Sequence, residues 1–259
     1  MTRGARNCAC AALVLGLGCA STQTSLFDDV GPADEVYAEG VEALAGRNLI
    51  GLYTWTDYDE AIELFQSVID NYPYSEYAVL AELRIADAYY QDLRYDEALS
   101  YYRDFAELHP QNEKVPYTIL RAALCHYNQV RSVEQDQTAT KSALLELERL
   151  IRNYPYASET RKGEELLREL RTRLARNEMR IGDFYLARSE YTSAAERYRS
   201  LLDTYPGLGE DAIALFKLGV CYENMKREDE ATRIFHVIAE NFPETHLAVL
   251  AREHISASD

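Results

Sequence analysis

Little in this chain can punctuate, staple or span. Seven Pro and twelve Gly among 259 residues are too few for a low-complexity or collagen-like chain. Basic residues are scarce too: 27 Lys and Arg stand against 43 Asp and Glu, a formal net charge of −16, and no basic stripe offsets it. Nucleic acid is thereby excluded as a partner, because affinity for its backbone rests on neutralising phosphates. The acidic balance favours solubility and basic or polypeptide partners instead. The apolar run from Ala11 to Leu17 is too short to cross a bilayer as a helix.

Catalytic patterns are missing as well. There is no G-x-S-x-G, H-E-x-x-H, C-x-x-C or phosphate-loop glycine pattern. His109, His126, His236, His246 and His254 are scattered without metal-ligand spacing. We therefore expect no enzyme, no metal and no cofactor. An envelope enzyme carrying a repeat domain would need a catalytic constellation that the sequence does not contain.

What is present is a block that returns. Tyr58 to Pro73 reads YDEAIELFQSVIDNYP, and the pattern A-x3-large-x7-P recurs from Tyr95 to Pro110, Thr140 to Pro155, Tyr191 to Pro206 and Glu228 to Pro243. Its small member is Ala61, Ala98, Ala143, Ala194 or Ala231; its large member is Phe65, Tyr102, Leu147, Tyr198 or Phe235. A small side chain lets a neighbouring helix approach, the large one fills the gap a turn later, and Pro cannot continue the helix. This is the second helix of a tetratricopeptide repeat. The first helix should carry L-G-x2-Y, which appears as Leu218, Gly219 and Tyr222, as Ile181, Gly182 and Tyr185, and with Ala at the close-contact place as Ile85, Ala86 and Tyr89. One such hairpin cannot bury its own apolar face, whereas five stacked together can. The predicted fold is all-α: an α-solenoid of five helical hairpins, residues about 34–73, 76–110, 113–155, 157–206 and 208–243, closed by a capping helix over 244–256. Most of the twenty Tyr fall at packing positions between helices.

In chain order, residues 1–18 read as a targeting segment, with Arg3 and Arg6 before the apolar run and Gly18 before Cys19. That ending resembles the lipobox of bacterial lipoproteins, although Gly16 stands where Leu is usual. The resemblance implies cleavage and lipidation at Cys19. Because one acyl chain holds a protein only marginally, it further implies several chains on that residue, and Ala20 after it implies delivery to the outer membrane. The alternative is an ordinary signal peptide cut nearby. Residues 19–33 read as a tether, followed by the solenoid over 34–259. Cys125 and Cys221 lie in first helices of different repeats, so no disulfide is expected between them.

Three departures from a regular repeat stand out. The insert Arg47 to Thr56 holds Leu49, Ile50, Leu52, Tyr53 and the single Trp55; it either caps the open end of the solenoid or docks a partner. The polar segment Val130 to Thr140 is expected as an exposed loop. The surplus in repeat four amounts to about four helical turns, so it lengthens a helix without changing which face is buried, and one long helix over 158–188 is expected. Asp57 followed by Glu60 reads as a capping box for the second helix.

The run RLARNE, with Arg173, Leu174, Ala175 and Glu178, is followed by A-x-x-R at Ala194 and Arg197 before Tyr205 and Pro206. Together with Asp136, Gln137 and Thr138 and the stretch from His109 to Tyr117, this resembles the BamD (ComL) family of outer-membrane assembly lipoproteins over nearly the whole mature chain. Departures are Gly16, the insert at 47–56 and a shortened loop in repeat three. The resemblance implies a non-enzymatic scaffold of the β-barrel assembly machine, anchored to the outer membrane and facing the periplasm. Such a scaffold binds a BamA-like barrel insertase through its POTRA domains, together with unfolded outer-membrane β-barrel proteins. It implies partner docking at Arg197 and Glu178, a partner carboxylate being the natural counterpart of the Arg197 guanidinium. The simpler reading of Arg197 is a surface salt bridge. Independently, Leu83, Asp87, Tyr90 and Gln91 fall where first helices should line a concave peptide groove. The competing reading is a periplasmic adaptor of another envelope complex such as Tol-Pal, against which stands the absence of a heptad run before Asp34.

Overall fold

A computed structural model of the chain describes residues 30–49, 53–130, 132–133 and 135–258. The targeting segment, Cys19 and most of the tether lie outside the described residues.

The described residues form five hairpins and a final helix, each helix packing on the next. Naming the first and second helix of each hairpin A and B, the pairs are α1 (Ala33–Ala45) with α2 (Tyr58–Asn71), α3 (Glu76–Gln91) with α4 (Tyr95–Leu108), and α5 (Val115–Asn128) with α6 (Thr138–Asn153). After them come α7 (Ser158–Ala187) with α8 (Tyr191–Thr204), and α9 (Asp211–Asn224) with α10 (Glu228–Asn241); α11 (His246–Ser258) covers the end. Two three-residue strands, β1 (Arg47–Leu49) and β2 (Tyr53–Trp55), pair antiparallel inside the turn of the first hairpin, with Arg47 opposite Trp55. The helical reading thus gains one small β ribbon in the apolar insert, and Trp55 is 53% exposed on it.

The recurring block acts as the sequence suggests. Ala61, Ala98, Ala143, Ala194 and Ala231 are buried, as are the large side chains four residues on. The reason for glycine on the A helices is contact with those rings: a Cβ on Gly182 would stand 2.5 Å from Tyr198 Cε1, and one on Gly219 would stand 2.7 Å from Phe235 Cε1. Each B helix ends on the residue before proline. Tyr72, His109, Tyr154, Tyr205 and Phe242 have φ between −121° and −133°, because a following proline ring disfavours the helical region. The Asp57 carboxylate accepts from Glu60 N–H at 3.1 Å to start α2, and Ser75 Oγ accepts from Ala78 N–H at 3.1 Å to start α3. Between A and B helices, Leu93, Ser189 and Lys226 adopt φ of 63°, 59° and 61° in equivalent turns.

The core is a string of clusters instead of a single centre, running from α1–α3 through α3–α5 and α4–α7 to α7–α11. Helix α7 joins the last two. Its 30 residues span about 45 Å, against about 21 Å for the 14 residues of α8. The first half of α7 carries Leu166 and Leu170 into the α5–α6 cluster, and its second half carries Ala175 and Met179 into the α8–α11 cluster. Arg176, mid-helix, pairs at 3.1 Å with Glu210 in the turn after α8. Repeats one to three and repeats four and five are therefore two stacks displaced along one helix.

Residues 130, 132–133 and 135–137 are more organised than their polarity suggests. Gln137 is buried, its amide nitrogen donating to the carbonyls of Ser132 (3.0 Å), Val133 (3.3 Å) and Gln135 (2.9 Å), while Asn177 on α7 donates to Val133 O at 2.6 Å. Helix α6 begins at Thr138, inside the expected loop, and Thr140 is buried. The expectation of a wholly exposed loop fails because an amide can serve as the core of a turn.

Candidate binding surface

Two consecutive A helices and the start of the third line a cleft of about 230 Å³, bounded by Tyr37 from α1, Leu80, Leu83, Arg84 and Asp87 from α3, and Lys114 and Tyr117 from the head of α5. The spacing is helical. Leu80, Leu83, Arg84 and Asp87 stand at i, i+3, i+4 and i+7, one stripe of α3.

Of the four groove residues expected from sequence, Leu83 and Asp87 reach this cleft. Asp87 is buried, and its carboxylate is already occupied: Oδ1 accepts from Tyr102 O–H and from Tyr117 O–H, each at 2.7 Å, with Arg121 Nε at 3.8 Å. Asp87 therefore builds the floor and ties α3 to α4 and α5, and is not a free acceptor for a ligand. Burial, and then the Asp87 charge, push the Tyr102 phenol far above its ordinary value, so both hydroxyls keep their protons. Tyr90 lies beside the cleft beneath Arg121, whose guanidinium carbon is 3.6 Å from the Tyr90 ring centroid, and it accepts from Asn128 Nδ2 at 2.8 Å. Gln91 is exposed at the last position of α3 and is not part of the cleft wall.

Sequence reasoning missed Tyr37, Arg84 and Lys114. Arg84 Nε donates to Tyr37 O–H at 3.1 Å, joining α1 to α3 across the groove. That hydrogen bond holds the Arg84 guanidinium above its usual value. With the Asp87 carboxylate turned toward Tyr102, Tyr117 and Arg121, the side chains that bring cations to the cleft are Arg84 and Lys114, the latter 3.2 Å from Glu113. One signal was available. Ile-x-Asp-x-Tyr occurs as Ile85 to Tyr89 and again as Ile181 to Tyr185, and in both repeats the large B-helix residue is Tyr, whose O–H needs an acceptor. Asp183 accepts from Tyr198 O–H at 2.6 Å and from Lys217 Nζ at 2.6 Å. In repeats one and five that residue is Phe, and Val41 and Val220 follow the glycine.

Glu178 and Arg197 are brought together with each other. Arg197 Nη1 on α8 lies 3.3 Å from Glu178 Oε2 on α7, with the arginine side chain 43% exposed. Cys125 and Cys221 are buried free thiols, which burial pushes up to about 12 and about 11. No group of His, Cys, Asp and Glu able to hold a metal occurs among the described residues, and no helix among them is long and apolar enough to cross a membrane.

A tetratricopeptide solenoid with a groove of tyrosine, leucine and two cations along its A helices is the architecture of a repeat scaffold. The family model YfiO, described as outer membrane lipoprotein, matches residues 31–237. The chain belongs to that family. Among its curated relatives, the outer membrane protein assembly factor BamD of Caulobacter vibrioides is 28% identical over 90% of this chain and 73% of its own length. That of Rickettsia prowazekii is 30% identical over 90% of each. That of Vibrio cholerae is 27% identical over 75% of this chain and 80% of its own. The family is one of assembly factors and not of enzymes.

Proposed function

We propose that this chain is a non-enzymatic scaffold of the outer-membrane β-barrel assembly machinery. It is held by acyl chains on Cys19 at the periplasmic face of the outer membrane, and binds a barrel insertase through POTRA domains and extended segments of unfolded barrel proteins. The observation that carries the reading is the cleft across α1, α3 and α5. The Tyr37 hydroxyl and the Arg84 and Lys114 side chains suit a backbone carbonyl and a carboxylate of an extended chain, while Leu80 and Leu83 offer apolar contact to alternate side chains.

Arg197 and Glu178 supply the second surface. An exposed ion pair contributes about 0–1 kcal/mol, so opening it for a partner carboxylate on Arg197 or a partner cation on Glu178 costs little. Site-specific photocrosslinking in the full-length protein, within intact envelopes, tests both surfaces. A crosslinker at Leu80 should capture unfolded barrel proteins, and one at Arg197 should capture a POTRA-bearing barrel protein. Should neither position capture such proteins, and Arg197→Glu leave every recovered partner intact, the reading is wrong.

A further inference from the structure

The described amino terminus is tied to one edge of the solenoid. Tyr72, in the turn from α2 to α3, shares its phenol O–H between the carbonyls of Gly31 at 2.9 Å and Val30 at 3.2 Å. In a stack of hairpins every B-to-A turn falls on one edge and every A-to-B turn on the other. The chain therefore enters repeats one to three on the edge formed by their B-to-A turns.

That edge carries bare apolar side chains. Tyr74 and Tyr156 occupy the same place in the Tyr-Pro-Tyr turns of repeats one and three and are 101% and 100% exposed, and between them Leu108, the last residue of α4, is 69% exposed. Rings so exposed gain nothing from the fold. The edge keeps the acidic character of the chain, with Asp34, Glu35, Asp70, Glu76, Glu107, Glu113 and Glu159 against Lys114, Arg152, Arg161 and Lys162 at its turns and helix ends, so its apolar side chains and not its charge set it apart. At a phospholipid headgroup layer tyrosine, with an apolar body and a polar tip, is the favoured side chain.

We infer that this edge rests on the lipid bilayer interface, with Tyr74, Leu108 and Tyr156 seated at headgroup depth. The inference rests on the lipid anchor proposed above. Between Cys19 and Val30 the chain can reach at most roughly 40 Å, and it ends on this edge and not on the opposite one. The opposite edge, about 20 Å away along α1, carries Trp55, the single tryptophan of the sequence, which serves as an internal reference.

The test uses the full-length lipidated protein in phosphatidylethanolamine and phosphatidylglycerol vesicles with brominated acyl chains, which quench tryptophan at the interface. Native Trp55 reports the far edge, and Tyr74→Trp or Tyr156→Trp on a Trp55→Phe background reports the near one. At least twofold quenching at positions 74 and 156, with Trp55 unquenched, is expected. Protein that floats with the vesicles while both near-edge probes are quenched no more than Trp55 overturns the inference alone. Protein that fails to float overturns it together with the Cys19 anchor.

Discussion

At the scale of single residues, polar side chains set the interfaces of repeats two and four apart from the rest. Tyr198 and Asp183 form a hydroxyl–carboxylate pair in repeat four, and Tyr102 and Asp87 repeat it in repeat two. Tyr198→Phe should cost about 1–2 kcal/mol in denaturant unfolding. Asp183→Val combined with Tyr198→Phe, the apolar combination that repeats one and five use, should cost less than the two single changes summed; additive losses would show that the pair is uncoupled. Burial first, and then the Arg103 charge, lower the basicity of His126 below its ordinary 6.5. A group that stays neutral in the fold binds its proton more readily when unfolded, so the associated stability is full above pH 6.5 and is lost as pH falls below it. Melting followed at pH 7 and pH 5 should show a smaller acid-induced drop for His126→Gln than for the native chain. Side chains of this kind were the least legible in sequence. Asp87 looked like a groove ligand and Gln137 like a solvent-facing loop residue, because polarity reports exposure only until a hydroxyl or a carbonyl takes up the polar atom.

At the scale of elements, the sequence was most readable where one side chain meets one backbone constraint. The prolines stop the B helices through the residue before them, and the glycines admit rings, so the hairpins could be read directly. Gly182→Ala should cost about 1–3 kcal/mol, because its methyl group would overlap the Tyr198 ring; unchanged melting would mean that α7 and α8 can part without loss. Ser189 and Lys226 hold left-handed backbone without the freedom of glycine. Ser189→Gly should therefore raise stability by about 0.5–1 kcal/mol, despite the wider unfolded ensemble of glycine. The ribbon of β1 and β2 was illegible for the opposite reason: strands of three residues give no period to detect, and they pair only locally.

At the scale of the whole molecule, the two stacks meet on α7, whose length was legible because the repeat-four surplus amounts to whole helical turns. The cleft was legible only in part. A stripe on α3 can be drawn from its own sequence, but the residues facing it from α1 and α5 depend on how the hairpins nest. Two Gly inserted after Thr172 should leave helical content nearly intact while splitting the single thermal transition into two, one for each stack; a single transition at the native temperature would show that the stacks do not depend on the rod between them. An uninterrupted α7, held by its own backbone hydrogen bonds and packed into both clusters, also makes the angle between the stacks a property of one helix and not of a loop joint. A tilt imposed on the carboxy-terminal repeats would then turn the cleft with it, as a lever arm turns about its fulcrum.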